Sequence, residues 1–326
     1  LIDIQLPNNW TPRPDQKPFL KYMWSGGKRA VVVAHRRWGK DDCALHFTAT
    51  AAMERVANYW HMLPKFDQAR KVIWDAINPN TQKRRIDEAF PKEIRRKTND
   101  TKMMVPFIND STWQLVGSDS FDTSVGSAPA GIIFSEYALA NPMAWALLSP
   151  IIEQNDGFAI FIYTPRGNNH GADLYYMAKN DPDWFSCLIT AEDSGVFSKD
   201  QLKKIKDEYL MLYGPEIGEA LFNQEYFCSF DSANIGAYYT KPLSLAHSEG
   251  RITQLPYDSR FPVFTFWDLG IDDSMTIWFI QSIGNKFHVI DYLESSGEGM
   301  GYYAGEMRKK PYVYGDIYLP HDGDHK

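Results

Sequence analysis

Two patterns of apolar and polar positions divide the chain. From Arg29 to Tyr213, short apolar runs of strand length alternate with stretches in which apolar residues recur every three or four positions. The runs are Ala30 to Ala34, Tyr59 to Leu63, Gly131 to Phe134, Phe158 to Tyr163 and Trp184 to Thr190. Helices are predicted over Lys40 to Ala57, with Leu45, Thr48, Ala49, Ala52 and Val56 on one face, and over Lys199 to Tyr213, with Leu202, Ile205, Tyr209 and Leu212 on one face. The amphipathic stretch Pro18 to Trp24, the segment Phe66 to Ile77 and the basic residues up to Lys97 also read as helical. Met103 to Ile108 and Ser111 to Val116, joined by Asn109-Asp110, predict a hairpin, while Asp193-Ser-Gly195 and Gly214-Pro215 mark turns. Strands that alternate with helices predict an α/β fold with a mostly parallel sheet and ligands at the strand C-terminal ends.

From about Gly250 the order changes. Strands are predicted at Pro262 to Asp268, Met275 to Gln281 and Lys286 to Leu293, then a helix at Tyr302 to Lys309 and a strand at Asp316 to Leu319. The expected organisation is a first domain over 1–230, a linker over 231–258 and a second domain over 259–326. Length agrees, because single cores usually stop growing at about 250–300 residues and the chain has 326. A net charge of −7 excludes a uniformly basic nucleic-acid binder, though the run Lys83 to Lys102 could form a local basic face. Cys43, Cys187 and Cys228 are too scattered for a metal site and read as reduced core thiols. No apolar run reaches the roughly 20 residues that span a bilayer, and Leu1 to Pro18 is not a signal peptide. No membrane and an intracellular setting are expected.

The chemistry centres on Arg29-Ala-Val-Val-Val-Ala-His-Arg-Arg-Trp-Gly-Lys-Asp-Asp42. A strand breaks into a basic turn and then a helix, and Gly39-Lys40 resembles the end of the phosphate-binding pattern GxxxxGK followed by Ser or Thr. Ala34 stands in the first glycine's place and Asp41 in that of the hydroxyl. Backbone N–H groups at such a helix start cradle phosphates, and the lysine supplies the opposing charge. The candidate ATP-binding residues are Gln16, Arg36, Arg37, Trp38, Gly39, Lys40, Asp41 and Asp42, with Gln16 reading adenine through its amide. Gly131-Ile-Ile-Phe-Ser-Glu136 is a buried strand ending in an acid, where P-loop enzymes place metal-holding and water-orienting groups. Glu136 is the candidate base, and Ser135 with Asp41 the candidate Mg²⁺ shell, acid and hydroxyl having exchanged places. Thr164, with Arg166 beside it, could sense hydrolysis at the next strand tip. In the C-terminal part, three strands, a helix and a fourth strand follow the order of an RNase H-like domain. That order makes strands one and four parallel neighbours and brings Asp268 and Asp322 together. Such a carboxylate pair needs a cation and suits two-metal phosphodiester cleavage with Mg²⁺ or Mn²⁺.

Taken in order, the Gln16 lead, Arg36-Arg-Trp-Gly-Lys40, Phe134-Ser-Glu136, Thr164-Pro-Arg-Gly167, Gly236-Ala-Tyr-Tyr239, Trp267-Asp-Leu-Gly270 and Pro320-His-Asp-Gly323 resemble the large terminase subunit of tailed bacteriophages. The resemblance implies a packaging ATPase followed by an RNase H-like endonuclease, here incomplete at its C-terminus. It implies double-stranded viral DNA, a portal protein, a small terminase subunit and a homo-oligomeric ring as partners. It also implies work in the host cytoplasm at the procapsid, with no place in the mature virion. Val125 occupies the position where some relatives carry an arginine finger, and a third nuclease carboxylate would lie beyond Lys326. The phosphate-loop chemistry taken by itself also fits a helicase-type translocase. The altered residues 41 and 135 also fit a nucleotide- or DNA-binding subunit without turnover.

Overall fold

The computed structural model describes residues 5–79, 81–119, 128–231, 242–243, 245–246, 249–270 and 274–320. The chain divides into two compact units, Leu1–Tyr238 and Tyr239–Lys326. The single boundary between them lies within 231–258.

In the first unit, helix α1 (Lys17–Trp24) leads to strand β1 (Arg29–Ala34), helix α2 (Lys40–Glu54) and strand β2 (Asn58–Leu63). The short helices α3 (Phe66–Ala69) and α4 (Arg85–Ala89) follow, then β3 (Met104–Pro106), β4 (Thr112–Gly117) and β5 (Pro129–Ser135). Next come α5 (Pro142–Gln154), β6 (Phe158–Tyr163), α6 (His170–Asn180) and β7 (Phe185–Ile189). Three helices complete the unit, α7 (Ala191–Ser194), α8 (Lys199–Tyr213) and α9 (Pro215–Phe227). The sheet order is β3-β4-β2-β5-β6-β1-β7, parallel throughout except for the β3–β4 hairpin.

Burial on both faces explains why the central strands read as continuous apolar runs. Val31 and Val33 of β1 enter one core with Phe134, Phe161 and Leu148 of α5. Ala30, Val32 and Ala34 enter the opposite core with Cys43 and Phe47 of α2 and Phe19 of α1. Val33 lies opposite Tyr163, and Ser135 opposite Ile162. The strands β1, β6 and β5 therefore end side by side, and the segments that leave their tips share one edge.

Several sequence expectations change. The helix expected over Phe66 to Ile77 is one α turn followed by a π turn, Arg70–Trp74. The helical reading up to Lys97 shrinks to α4 and a 3-10 turn, Lys92–Ile94, because Pro91 separates them. Gly214-Pro215 is the start of α9, with proline at its first position. The arginines of the basic run face acids, Arg84 with Asp75, Arg85 with Asp42, Arg95 with Asp87 and Arg96 with Asp110. Among the described residues this leaves its lysines, which are exposed and have no ion pair, as the charges open to a polyanion. The three cysteines are free thiols, and no helix among the described residues is long and apolar enough to cross a membrane.

His46 on α2 stacks on Trp10 at 4.6 Å, and its Nδ1 is buried with no hydrogen-bond partner among the described residues. Burial lowers its pKa from 6.5 to about 4. The unfolded chain therefore takes up a proton that the folded chain refuses, so this stabilisation is complete above about pH 6.5 and is lost as pH falls towards 4. Urea unfolding between pH 7 and 4 should show a loss on the order of 3 kcal/mol from this residue. His46→Phe, which keeps a ring on Trp10, should flatten that slope.

In the second unit, β8 (Val263–Asp268), β9 (Met275–Ile283), β10 (Lys286–Ser295), α10 (Met300–Lys309) and β11 (Tyr314–Tyr318) follow in order. The sheet order is β10-β9-β8-β11. Strands β8 to β10 are antiparallel, whereas β11 runs parallel to β8 with Tyr318 opposite Phe266. Val263, Ile277 and Phe279 of one sheet face pack on Tyr303 and Met307 of α10. This is the strand order expected from the sequence.

Candidate phosphate-binding cleft

The loop between β1 and α2 turns through two left-handed residues, Arg37 at φ 71° and Gly39 at φ 84°. Glycine accepts this conformation without cost, whereas arginine is strained in it. Gly39 starts α2, and no side chain caps the helix. Its first-turn N–H groups are thus left for an outside acceptor. Beside them Lys40 is 6% exposed. Its Nζ donates to Thr164 Oγ1 at 2.8 Å and to the Ala34 and His35 carbonyls at 3.3 and 3.5 Å. Thr164 donates in turn to the Ala34 carbonyl at 2.9 Å. A lysine on the loop and a threonine on the neighbouring strand tip are therefore one connected unit.

Asp41 and Ser135, the acid and the hydroxyl singled out in the sequence, are in direct contact. Ser135 at the tip of β5 donates to Asp41 Oδ1 at 2.6 Å, and His61 Nε2 of β2 lies 3.1 Å from the same oxygen. Burial pushes the Asp41 carboxyl up, but the hydrogen bonds from His61 and Ser135 and the nearby Arg85 outweigh it and hold the pKa at about 2. Glu136 follows in a left-handed conformation, φ 53° and ψ 44°, which costs a non-glycine residue roughly 1–3 kcal/mol. Glu136 lines the same cleft as Lys40, Asp41 and Thr164.

This cleft has a volume of about 600 Å³ and is rimmed by Arg36, Arg37, Arg166 and Glu225. Glu225, near the end of α9, is 6% exposed. Its carboxylate faces Arg36 Nη1 at 3.4 Å and Arg166, and its carbonyl accepts from the Arg36 N–H at 2.9 Å. Neither Glu225 nor His61 was expected from the sequence. His35 is neutral at ordinary pH, since burial lowers its pKa to about 4, and it joins the Arg36 carbonyl to Ser194 at 2.7 Å each.

Three expected nucleotide contacts are placed differently. Gln16 is buried under the loop, accepting from the Arg13 N–H at 2.9 Å and donating to the Trp38 carbonyl at 3.1 Å. It braces the loop and does not line the cleft. The Trp38 ring is fully buried and donates to Asp15 at 2.5 Å, its N–H donates to the His35 carbonyl at 3.3 Å, and its own carbonyl accepts from Arg13 and Gln16, so it is a structural part of the loop. Asp42 turns to a separate cavity of about 200 Å³ shared with Trp10 and His46, where it pairs with Arg85 at 3.7 Å. Burial raises its pKa against that pairing.

In the second unit Asp268 is exposed at the end of β8. Its expected partner Asp322, like Val125 and Gly236 to Tyr239, lies outside the described residues. Among the described residues, no group of three or more metal-ligating side chains could hold an ion.

No protein-family model matches the sequence, and no curated protein matches it. Solved structures do. The large terminase of a thermophilic bacteriophage superposes with a TM-score of 0.54 at 13% identity over 97% of this chain and 79% of that one. The mostly parallel sheet and its helices have the fold of a large terminase ATPase domain. A further match is the large terminase ATPase domain of Thermus phage P74-26, with a TM-score of 0.53 at 20% identity over 68% of this chain and 94% of that one. The thermophilic bacteriophage's terminase in complex with ADP matches with a TM-score of 0.52 at 13% identity over 96% of this chain and 78% of that one. Its ATP-gamma-S complex has also been solved. The resemblance read from the motifs is thus borne out at the level of fold.

Proposed function

We propose that the chain is a large terminase whose first unit hydrolyses ATP to drive double-stranded DNA into a procapsid. One observation carries this reading. The uncapped start of α2, Lys40 held by Thr164, the Asp41–Ser135 pair and Glu136 converge on one cleft at three adjoining strand tips. Each group has a distinct task. The N–H groups of α2 and the Lys40 ammonium bind the triphosphate, and Arg36, Arg37 and Arg166 stand where charge must be compensated at its outer end. Glu136 is placed at the strand tip to align and deprotonate water. Thr164 passes a change at Lys40 into the turn that carries Arg166, because it bonds both the lysine and the β1 end.

The donors at Asp41 and Ser135 suit Mg²⁺, a hard cation that takes oxygen ligands. When bound there it would neutralise charge on the outer phosphates. The solved complexes of the thermophilic phage terminase with ADP and ATP-gamma-S support the nucleotide class. The portal, the small terminase subunit and a homo-oligomeric ring, formed transiently in the host cytoplasm, complete the assembly that packaging requires. A helicase-type reading asks for a second parallel sheet, whereas the second unit has three antiparallel strands and one parallel strand.

For that unit we infer a metal-dependent endonuclease that cuts concatemeric DNA, with Mg²⁺ or Mn²⁺ held by Asp268 and Asp322. The parallel β8–β11 pairing supports it by bringing the C-terminal ends of both strands to one edge. The packaging reading is tested with procapsids, portal and DNA. ATP should protect DNA from an added nuclease only when this chain is present, and ATP-independent protection would overturn the motor assignment. Asp268→Asn should abolish Mn²⁺-dependent cutting, and cutting at the wild-type rate would remove Asp268 from the site.

A further inference from the structure

His61 sits in the middle of an apolar strand, wholly buried, with no task in the scheme above. Its Nε2 lies 3.1 Å from Asp41 Oδ1, which also accepts from Ser135. Its Nδ1 is buried without a partner among the described residues. A carboxylate can only accept, so the Nε2 atom carries the proton. Both neighbours bind the same oxygen, and no hydrogen bond among the described residues reaches Oδ2. Asp41 lines the cleft, and His61 stands behind it in the sheet.

These contacts answer a problem set by the sequence. Where the loop pattern has Ser or Thr, a single oxygen meets the metal. An aspartate there has two oxygens and a side chain free to rotate. We propose that His61 is a positioning residue that engages one oxygen of Asp41 and thereby presents the other to the magnesium of a bound nucleotide. Asp41 then acts as a one-oxygen ligand, like the hydroxyl it replaces. His61 touches neither nucleotide nor metal. Its position on β2, next to the β5 strand that carries Ser135, lets both groups grip Asp41 from the sheet side. Partners of this kind, one step from the metal, commonly change metal affinity by about 10–100-fold when removed. The proposal rests on the nucleotide reading of the cleft.

The test measures binding of the fluorescent analogue mant-ADP to the full chain in EDTA and across a Mg²⁺ titration. Wild type and Lys40→Ala are compared with His61→Gln, His61→Asn and His61→Leu. The glutamine amide nitrogen can reach the place of Nε2, whereas the shorter asparagine cannot. His61→Gln should keep the tightening by Mg²⁺, and His61→Asn and His61→Leu should need about tenfold more Mg²⁺. Binding in EDTA should stay at the wild-type value in all three. A wild-type Mg²⁺ requirement in His61→Leu, or equal losses in the glutamine and asparagine variants, overturns the proposal. Should the leucine variant not fold, the glutamine–asparagine contrast still decides. A wild-type chain that binds mant-ADP through Lys40 but gains nothing from Mg²⁺ overturns the role of His61 and leaves the phosphate cleft standing. A wild-type chain that binds no nucleotide overturns the reading beneath both.

Discussion

Lys40→Ala should lower ATP turnover by about 10²–10³-fold, the usual consequence of removing a preorganised charge from a transition-state site. The environment of Lys40 gives the reason. Its ammonium is nearly buried and is solvated by a hydroxyl and two carbonyls, and no carboxylate pairs with it among the described residues. A buried cation without a counter-ion weakens a fold. It is retained where an anion will complete it, and the uncapped start of α2 points to the same missing partner. The same reasoning sets a second readout. Alanine should leave the melting temperature of the nucleotide-free chain unchanged or raise it, while removing the rise that nucleotide gives to wild type. Steady-state turnover and thermal melts of both proteins check this. Turnover within about threefold of wild type would exclude Lys40 from the chemistry.

The parts of the site that were legible in the sequence are contiguous in it. A strand, a basic turn with Gly39-Lys40 and a helix start occupy successive residues, so Val31 to Asp41 announce their structure, and the ligand class proposed for them follows from the same pattern. The strand-tip residues Ser135, Glu136 and Thr164 were legible for a related reason. Apolar runs that end abruptly in polar residues mark the C-terminal edge of a parallel sheet. Glu225 and His61 had no such signal. Glu225 lies 189 positions from Arg36 in a helix of mixed character, and only the packing of α9 brings it to the loop. His61 sits among Tyr59, Trp60 and Met62, where a histidine reads as core, and its task is set by a contact 20 positions away. Gln16 was misplaced because a local pattern shows that an amide stands near the loop but not which way it faces. The carbonyl of Trp38 claims it from below. Charge runs misled similarly, since the acids that neutralise Arg84, Arg85 and Arg96 come from Asp75, Asp42 and Asp110, outside the run.

Glu136→Gln should remove about 10²–10⁴-fold of turnover with nucleotide affinity retained, because a positioned general base contributes that much to a hydrolytic step and little to ground-state binding. The structure supplies two grounds for this split. Glu136 lines the cleft, but the phosphate-facing groups are Lys40, the start of α2 and the rim arginines, none of which is hydrogen-bonded to Glu136 among the described residues. Its backbone is held at φ 53° at the end of a strand whose seven residues are all buried. A strained conformation of this kind persists where its surroundings impose it and commonly serves a function. Glutamine preserves shape and strain and removes only the ability to take a proton. The variant should therefore fold with wild-type stability and bind mant-ADP normally. It should keep the nucleotide-induced rise in melting temperature that Lys40→Ala loses, and fail only at hydrolysis. Single-turnover measurements at saturating ATP separate the two variants. Glu136→Gln turning over within about threefold of wild type would move the base to another carboxylate of the cleft, and Glu225 is the next one there.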